Sequence, residues 1–391
     1  MGTRRATRER VEQMSDLIKL HAKPTSAADQ LIINRDFQEL SKQESLLPIK
    51  VTSFFRKKIE EEVAALGHTE GPLHRVAYPS REKIEVRAPG EVADFVDDRH
   101  NMPKDSPDII IRKYRERILF LPTSVCAGHC QYCFRQDVLS EQHGQATTSL
   151  EDKLRLLKEY LKDKNEIKEV ILSGGDPMIL PLDTLRPIIH TLKNELNIES
   201  IRIHTKTICY SPKVFYDEEK LQLLSKAKVR LVFHIVHPYE ICEEVKQTIQ
   251  RIRSYGIRCY SQFPLLRNVN DHPDLLIYHL KQLDNLEIRN LSIFIPDPIY
   301  YSGAFRVNLF RLFDLINQLN WRSPSWINST RFVLDTPIGK VRREDMKHYD
   351  HETSTAIFER EGQQIVYPDF PASLDKPGEL KTLLWKDYIH S

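Results

Sequence analysis

The sequence predicts an α/β protein: an incomplete (β/α)6 barrel with a helical N-terminal extension and a small C-terminal α+β region. Three observations lead there. From about residue 110, short β-branched runs alternate with amphipathic stretches, the pattern of parallel strands joined by right-handed crossovers. The 391 residues are too many for one small domain and enough for a barrel with appendages. With 40% hydrophobic and 29% charged residues, a sizeable core is available and global disorder is excluded. The regions read as 1–108, 109–325 and 326–391.

Met1 to Leu20 is charged throughout and has no apolar h-region. Gly2 is followed by Ala6, so the myristoylation pattern fails. No window approaches 18 uninterrupted apolar residues, as a membrane helix needs. The expectation is a cytoplasmic protein without membrane contact. Lys and Arg number 57 against 55 Asp and Glu, a net of +2, which argues against a dedicated nucleic-acid binder. Phe54–Leu66 predicts an amphipathic helix, with Lys57, Lys58, Glu60, Glu61 and Glu62 as a solvated face. Gly67 to Pro107 reads mostly as loop.

The barrel then unrolls in order. Ile118–Leu121 is a strand, and Ser149–Leu161 a helix with a capping-box-like start at Ser149 and Asp152. Leu154, Leu157 and Leu161 supply its apolar stripe. Strands follow at Glu169–Leu172, Ser200–His204, Val229–Val236, Arg258–Phe263 and Asn290–Ile295, with helices at Leu185–Leu196, Glu218–Ala227, Glu240–Tyr255, Pro273–Leu283 and Ala304–Leu319. The tail carries a further strand, Arg331–Asp335, and a hairpin from Ile357–Glu359 to Ile365–Tyr367 around Glu361-Gly362. In such a fold, function gathers at the C-terminal ends of the strands.

Two scarce residue types mark those ends. Three of the six cysteines, Cys126, Cys130 and Cys133, form C-x3-C-x2-C just after the first strand. Three thiolates on a tight loop suit three irons of a [4Fe-4S] cluster and leave the fourth open to a small chelating molecule. Zinc remains an alternative, with His129 as fourth ligand in a non-enzymatic interaction protein. Cys209, Cys242 and Cys259 read as buried thiols. Two of only 13 glycines, Gly174 and Gly175, lie in Ser173-Gly174-Gly175-Asp176 after the second strand, which suggests bare backbone approaching a ligand; a plain turn with Asp176 as cap is the other reading. Later strand ends carry His204, His234, His237 and Gln262.

The cysteine loop, with Tyr132 before its last cysteine, resembles the radical S-adenosylmethionine (SAM) superfamily. IRKYRERILFLPTSVCAGHCQYCFR, EVILSGGDP, IRIHTK, VHPYEI, LLRNVNDH and FVLDTPIGK together resemble the lysine 2,3-aminomutase family. The resemblance implies an isomerase of the intramolecular aminotransferase type that uses a [4Fe-4S] cluster, SAM and pyridoxal phosphate. It implies that Cys126, Cys130 and Cys133 hold the cluster, and that Ser173, Gly174, Gly175, Asp176, His234 and Gln262 contact SAM. Lys340 would hold pyridoxal phosphate as a Schiff base, with Tyr114 and Arg117 on its phosphate. Arg135 would pair with the substrate carboxylate, and Asp297 and Asp335 with a distal ammonium. The implied reaction moves an α-amino group to the β-carbon, L-lysine to L-β-lysine foremost. The same chemistry on arginine or glutamate, or lysine supplied for modification of a translation factor, are alternatives. A flavodoxin or ferredoxin type electron donor and a homo-oligomer are further implications. The family carries a longer glycine run before its lysine; here Thr336, Pro337, Ile338 and Gly339 alone separate Asp335 from Lys340. With no cysteine after Cys259, no C-terminal zinc site is expected.

Overall fold

The computed structural model describes residues 25–44, 46–106, 108–141 and 148–387. The charged start, Met1 to Leu20, lies outside the described residues. The N-terminal region is helical, with helices at Ala27–Gln43 and Ser53–Leu66. Thr52 caps the second by accepting from the Phe55 amide, and Gly67, at φ +74°, ends it. Its charged run is not wholly solvated. Lys58 is buried and donates to the Glu240 carbonyl at 2.7 Å. Glu62 is buried and accepts from the Leu73 and His74 amides at 2.9 and 2.8 Å. Glu62 thereby starts one of two short helices, Pro72–Ala77 and Arg81–Glu85, in the stretch expected to be loop.

Twelve strands form two sheets among the described residues. In the larger one, β1 (Ile110–Tyr114) pairs antiparallel with β2 (Arg117–Thr123). Parallel neighbours follow in chain order: β3 (Glu169–Gly174), β4 (Ser200–Thr205), β5 (Arg230–Phe233), β6 (Arg258–Pro264), β7 (Arg289–Phe294) and β8 (Arg331–Thr336). The strand expected in the tail is thus a seventh parallel member of the barrel. Antiparallel β9 (Gly339–Val341) ends the sheet. Interstrand pairing is continuous from β1 to β9, a nearly closed partial barrel. Crossover helices bury leucine and isoleucine faces against it: Leu157 and Leu161 of Leu150–Leu161, and Val245, Ile249 and Ile252 of Glu243–Ser254.

The second sheet joins β10 (Met346–Asp350), β11 (Thr355–Arg360) and β12 (Gln363–Pro368), all antiparallel. Its β11–β12 hairpin turns at Glu361 and Gly362, both with positive φ, as a two-residue loop between twisted strands requires. The helix expected at Ala304–Leu319 begins at Leu309, where the Asn308 side chain caps it.

Candidate active site

One cavity of about 290 Å³ opens among the C-terminal ends of the strands and runs down into the barrel. Every residue to which the resemblance gave a role lines it: Cys126, Cys130, Cys133, Ser173, Gly174, Gly175, Asp176, His234, Gln262, Arg135, Asp297, Asp335, Tyr114, Arg117 and Lys340. His237 does not; its ring caps a turn and reaches the Leu383 carbonyl at 3.1 Å.

The cysteine loop hangs between β2 and the N-terminal region. The His129 and Gln131 amides donate to the Lys50 and Val76 carbonyls at 2.8 and 2.9 Å. Lys50 donates to the Cys126 carbonyl at 2.7 Å. Gly128 lies so close to Tyr210 that a Cβ there would stand 2.7 Å from its ring, and the Tyr210 hydroxyl is 3.5 Å from the Cys130 sulfur. Burial holds all three thiols up, Cys133 to about 12, so metal must displace their protons. Among the described residues no three His, Cys, Asp or Glu side chains are gathered tightly enough for one ion, as zinc would need. A cluster asks only one iron per thiolate. The Nδ1 of His129, the fourth ligand of the zinc reading, is taken by the Pro48 carbonyl at 2.6 Å.

The glycine pair has a reason that the sequence did not reveal. A Cβ on Gly175 would stand 2.2 Å from the Val125 carbonyl oxygen, and one on Gly174, at φ +96°, 2.6 Å from that of Thr123. The protein's own chain approaches the bare backbone, over the three residues Thr123 to Val125 that precede Cys126. Asp176 is likewise committed. It accepts from the Met178, Lys206 and Thr207 amides and the Thr205 hydroxyl, at 2.8 to 3.1 Å, and so ties the end of β3 to that of β4. A Gly175→Ala variant is expected to lose about 2–3 kcal/mol of stability in urea unfolding, together with iron loading; an unchanged midpoint would remove this account.

On β4, Arg202 and His204 alternate with the buried Ile201 and Ile203. This places Arg202 and His204 on the cavity wall. His204, Gln262 and His234 form a row across adjacent strands, the Gln262 amide 3.3 and 3.4 Å from the two rings. Burial lowers both histidines, His234 to about 4, so both are neutral acceptors or donors rather than cations. Nε2 of His204 has no hydrogen-bond partner among the described residues.

Deeper in the barrel, two edge hairpins face one another. Tyr114 and Arg117 are direct partners across the β1–β2 turn, and the Arg117 guanidinium lies over the Tyr114 ring at 4.8 Å. Across the sheet, Asp335 and Lys340 are partners of the β8–β9 hairpin. A two-residue turn, Pro337-Ile338, closes it, with the Thr336 hydroxyl on the Gly339 carbonyl at 2.6 Å. The short spacing before Lys340 therefore still delivers the lysine to the cavity. Burial lowers Lys340 from the ordinary lysine range, Asp335 opposing; its ammonium lies 4.9 Å from the centre of the Phe294 ring.

The carboxylates are not all free for a ligand. Asp335 is paired with Lys113 at 2.9 Å, and Arg135 with Asp98 at 2.8 Å and the Ser173 hydroxyl at 3.0 Å. Asp297 enters no ion pair among the described residues; burial, then its neighbour Asp335, raise it well above the carboxylate range. Sequence reasoning missed Lys113, Asp98, Arg202 and Lys206. Arg202 was readable, two residues before His204 on the inward face of one strand. Lys113 and Asp98 left no such signal.

Residues 120–280 match the family described as the Radical SAM superfamily. The L-lysine 2,3-aminomutase of Buchnera aphidicola is 32% identical over 200 residues, 51% of this chain and 58% of that one. Those of Methanococcus maripaludis and Clostridium subterminale are 25% and 26% identical over 313 and 278 residues, covering 80% and 71% of this chain and 69% and 65% of theirs. A radical SAM methyltransferase from Sphaerobacter thermophilus overlays 57% of this chain and 67% of its own at a TM-score of 0.43 and 13% identity. No helix among the described residues is long and apolar enough to cross a membrane. The cysteine loop thus sits within the matched span at the mouth of a partial barrel: residues 120–280 carry the radical SAM match, and along and beyond them the chain is similar to L-lysine 2,3-aminomutases.

Proposed function

We propose that the protein is a pyridoxal phosphate-dependent 2,3-aminomutase acting on a free amino acid with a cationic side chain, L-lysine foremost. The observation that carries this reading is Lys340, half-buried in the same cavity as the cysteine loop and Tyr114, with Arg117 and Arg202 among the charges that act on it. These residues fit pyridoxal phosphate. The buried Tyr114 hydroxyl has no hydrogen-bond partner among the described residues, and Arg117 and Arg202 supply planar donor forks of the kind that suit a phosphate. Lowering of Lys340 favours the neutral amine that a covalently acting lysine needs. When bound, the cluster and SAM supply a carbon radical, and pyridoxal phosphate a ring that spreads the unpaired electron.

The chain's own side chains do the orienting. His204, His234 and Gln262 offer neutral hydrogen-bonding groups on the wall between the cysteine loop and Lys340, suited to a nucleoside. Arg135 has its Nε on Asp98 and one terminal nitrogen on Ser173, which fixes its plane and leaves the other terminal nitrogen for a carboxylate. With Lys113 on Asp335 and Arg135 on Asp98, and Asp176 filled by amides and a hydroxyl, Asp297 is the cavity aspartate that neither a basic side chain nor a set of amides holds among the described residues. An arriving ammonium would ionise it and offset its own desolvation. The reading therefore expects one side-chain cation, held chiefly by Asp297, with Asp335 shared by Lys113.

Anaerobic incubation with dithionite, SAM, pyridoxal phosphate and lysine, arginine or glutamate, followed by product identification, tests this. L-β-lysine, or the corresponding product from arginine, is expected. Turnover of glutamate alone would overturn the cation assignment.

A further inference from the structure

Three lysines besides Lys340 line the cavity: Lys83, Lys113 and Lys206. Lys113 is paired with Asp335 and Lys206 with Glu240, at 2.9 and 2.5 Å. Lys83 has no carboxylate within ion-pair distance among the described residues, although its side chain is only 2% exposed. Its backbone is fixed by a short helix that Ser80 caps at the Lys83 amide. Its ammonium reaches across to the cysteine loop and donates to the carbonyl of Gln131, the residue after Cys130, at 2.5 Å, with the Tyr301 carbonyl at 3.4 Å. The Phe305 ring covers it at 6.0 Å.

A buried ammonium bonded only to neutral carbonyls is unfavourable unless an anion stands nearby. Arg87 and Glu91, the other nearby charges, oppose one another. Burial lowers Lys83 to about 7, and the group whose ionisation most opposes this, favouring the ammonium, is Cys133. A cluster held by three thiolates is a net anion and gains one negative charge on reduction. Water is excluded at Lys83, so a cation there interacts with that charge under weak screening.

We propose that Lys83 is the built-in counter-charge of the iron–sulfur cluster, raising its reduction potential and holding the cysteine loop in its cluster-binding shape. Lys83 is a positioning residue: it acts on the cluster through charge and through the Gln131 carbonyl. The cluster gains one electron from an external low-potential donor, no bond to Lys83 forms or breaks, and the ammonium keeps its proton. Reduction is favoured because the added charge appears beside a fixed cation. The inference rests on the radical SAM reading, and needs neither pyridoxal phosphate nor any substrate assignment.

The test is an electron paramagnetic resonance-monitored redox titration of the reconstituted full chain and of Lys83→Met, Lys83→Gln and Lys83→Arg, with Lys50→Met as an exposed comparator that also loses a contact to the loop. Lys83→Met and Lys83→Gln are expected to shift the midpoint to more negative potential at equal iron content, while Lys83→Arg and Lys50→Met stay near the unsubstituted protein. An unshifted midpoint in a fully loaded neutral variant overturns the proposal. Should both neutral variants lose iron, a native apo circular dichroism spectrum with iron retained by Lys83→Arg supports the charge. Equal loss from Lys83→Arg, or an apo form that does not fold, assigns Lys83 to packing and overturns it. Absence of any cluster in the unsubstituted protein would instead refute the radical SAM reading itself.

Discussion

Cys130→Ala protein is expected to purify folded, without the brown chromophore, and to form no 5′-deoxyadenosine above background. The Cys130 sulfur lies in the cavity with the Tyr210 hydroxyl as its neighbour at 3.5 Å. Removing one sulfur from that wall costs the fold little, about 1 kcal/mol. For cluster chemistry it removes a ligand that nothing adjacent replaces, because His129 is engaged by Pro48. Iron and sulfide analysis after anaerobic reconstitution, with chromatography of SAM cleavage products, separates the two effects. Retention of full iron together with normal cleavage would sink the assignment of this loop to the cluster.

Lys340→Ala gives the complementary result. Amino-group migration is expected to fall on the order of 10⁴-fold or more, the scale of losing a covalently acting side chain, while the cluster forms and SAM is still cleaved slowly. Lys340→Arg fails equally, since a guanidinium stays protonated and cannot act as the amine. Borohydride reduction of the loaded enzyme and peptide mapping give a direct readout: the pyridoxyl label belongs on Lys340, and a label on Lys113 or Lys206 would move the site. Loss of SAM cleavage in Lys340→Ala would show instead that the lysine supports the cluster end of the cavity.

The parallel core was legible because its strands are β-branched runs between periodic helices, and both signals are local. The β11–β12 turn was legible for the same reason, with Gly362 where positive φ is needed. Strand β1 was not, because only Arg115 and Glu116 separate it from β2 and the two runs read as one approach to the barrel. The short helices at Pro72–Ala77 and Arg81–Glu85 span too few turns to show a period. The first depends on a carboxylate, Glu62, in the preceding helix. At the site, the motif residues were found by position after each strand. Their partners were not, since Lys113 meets Asp335 across 222 positions and Asp98 meets Arg135 from an irregular segment. The glycine pair was seen, but its close contact with the chain at Thr123 and Val125 was not, because a sequence shows that bare backbone is needed and not what stands beside it.

The turn at Pro337-Ile338 behaves as a phase lock. Side chains alternate along β9, so the direction of Lys340 depends on the parity of the residues between it and Asp335. One residue inserted or deleted there rotates the amine out of the barrel, whereas a change of two restores its heading at the cost of a looser loop. Natural or engineered length variation at this corner is thus expected to come in even steps.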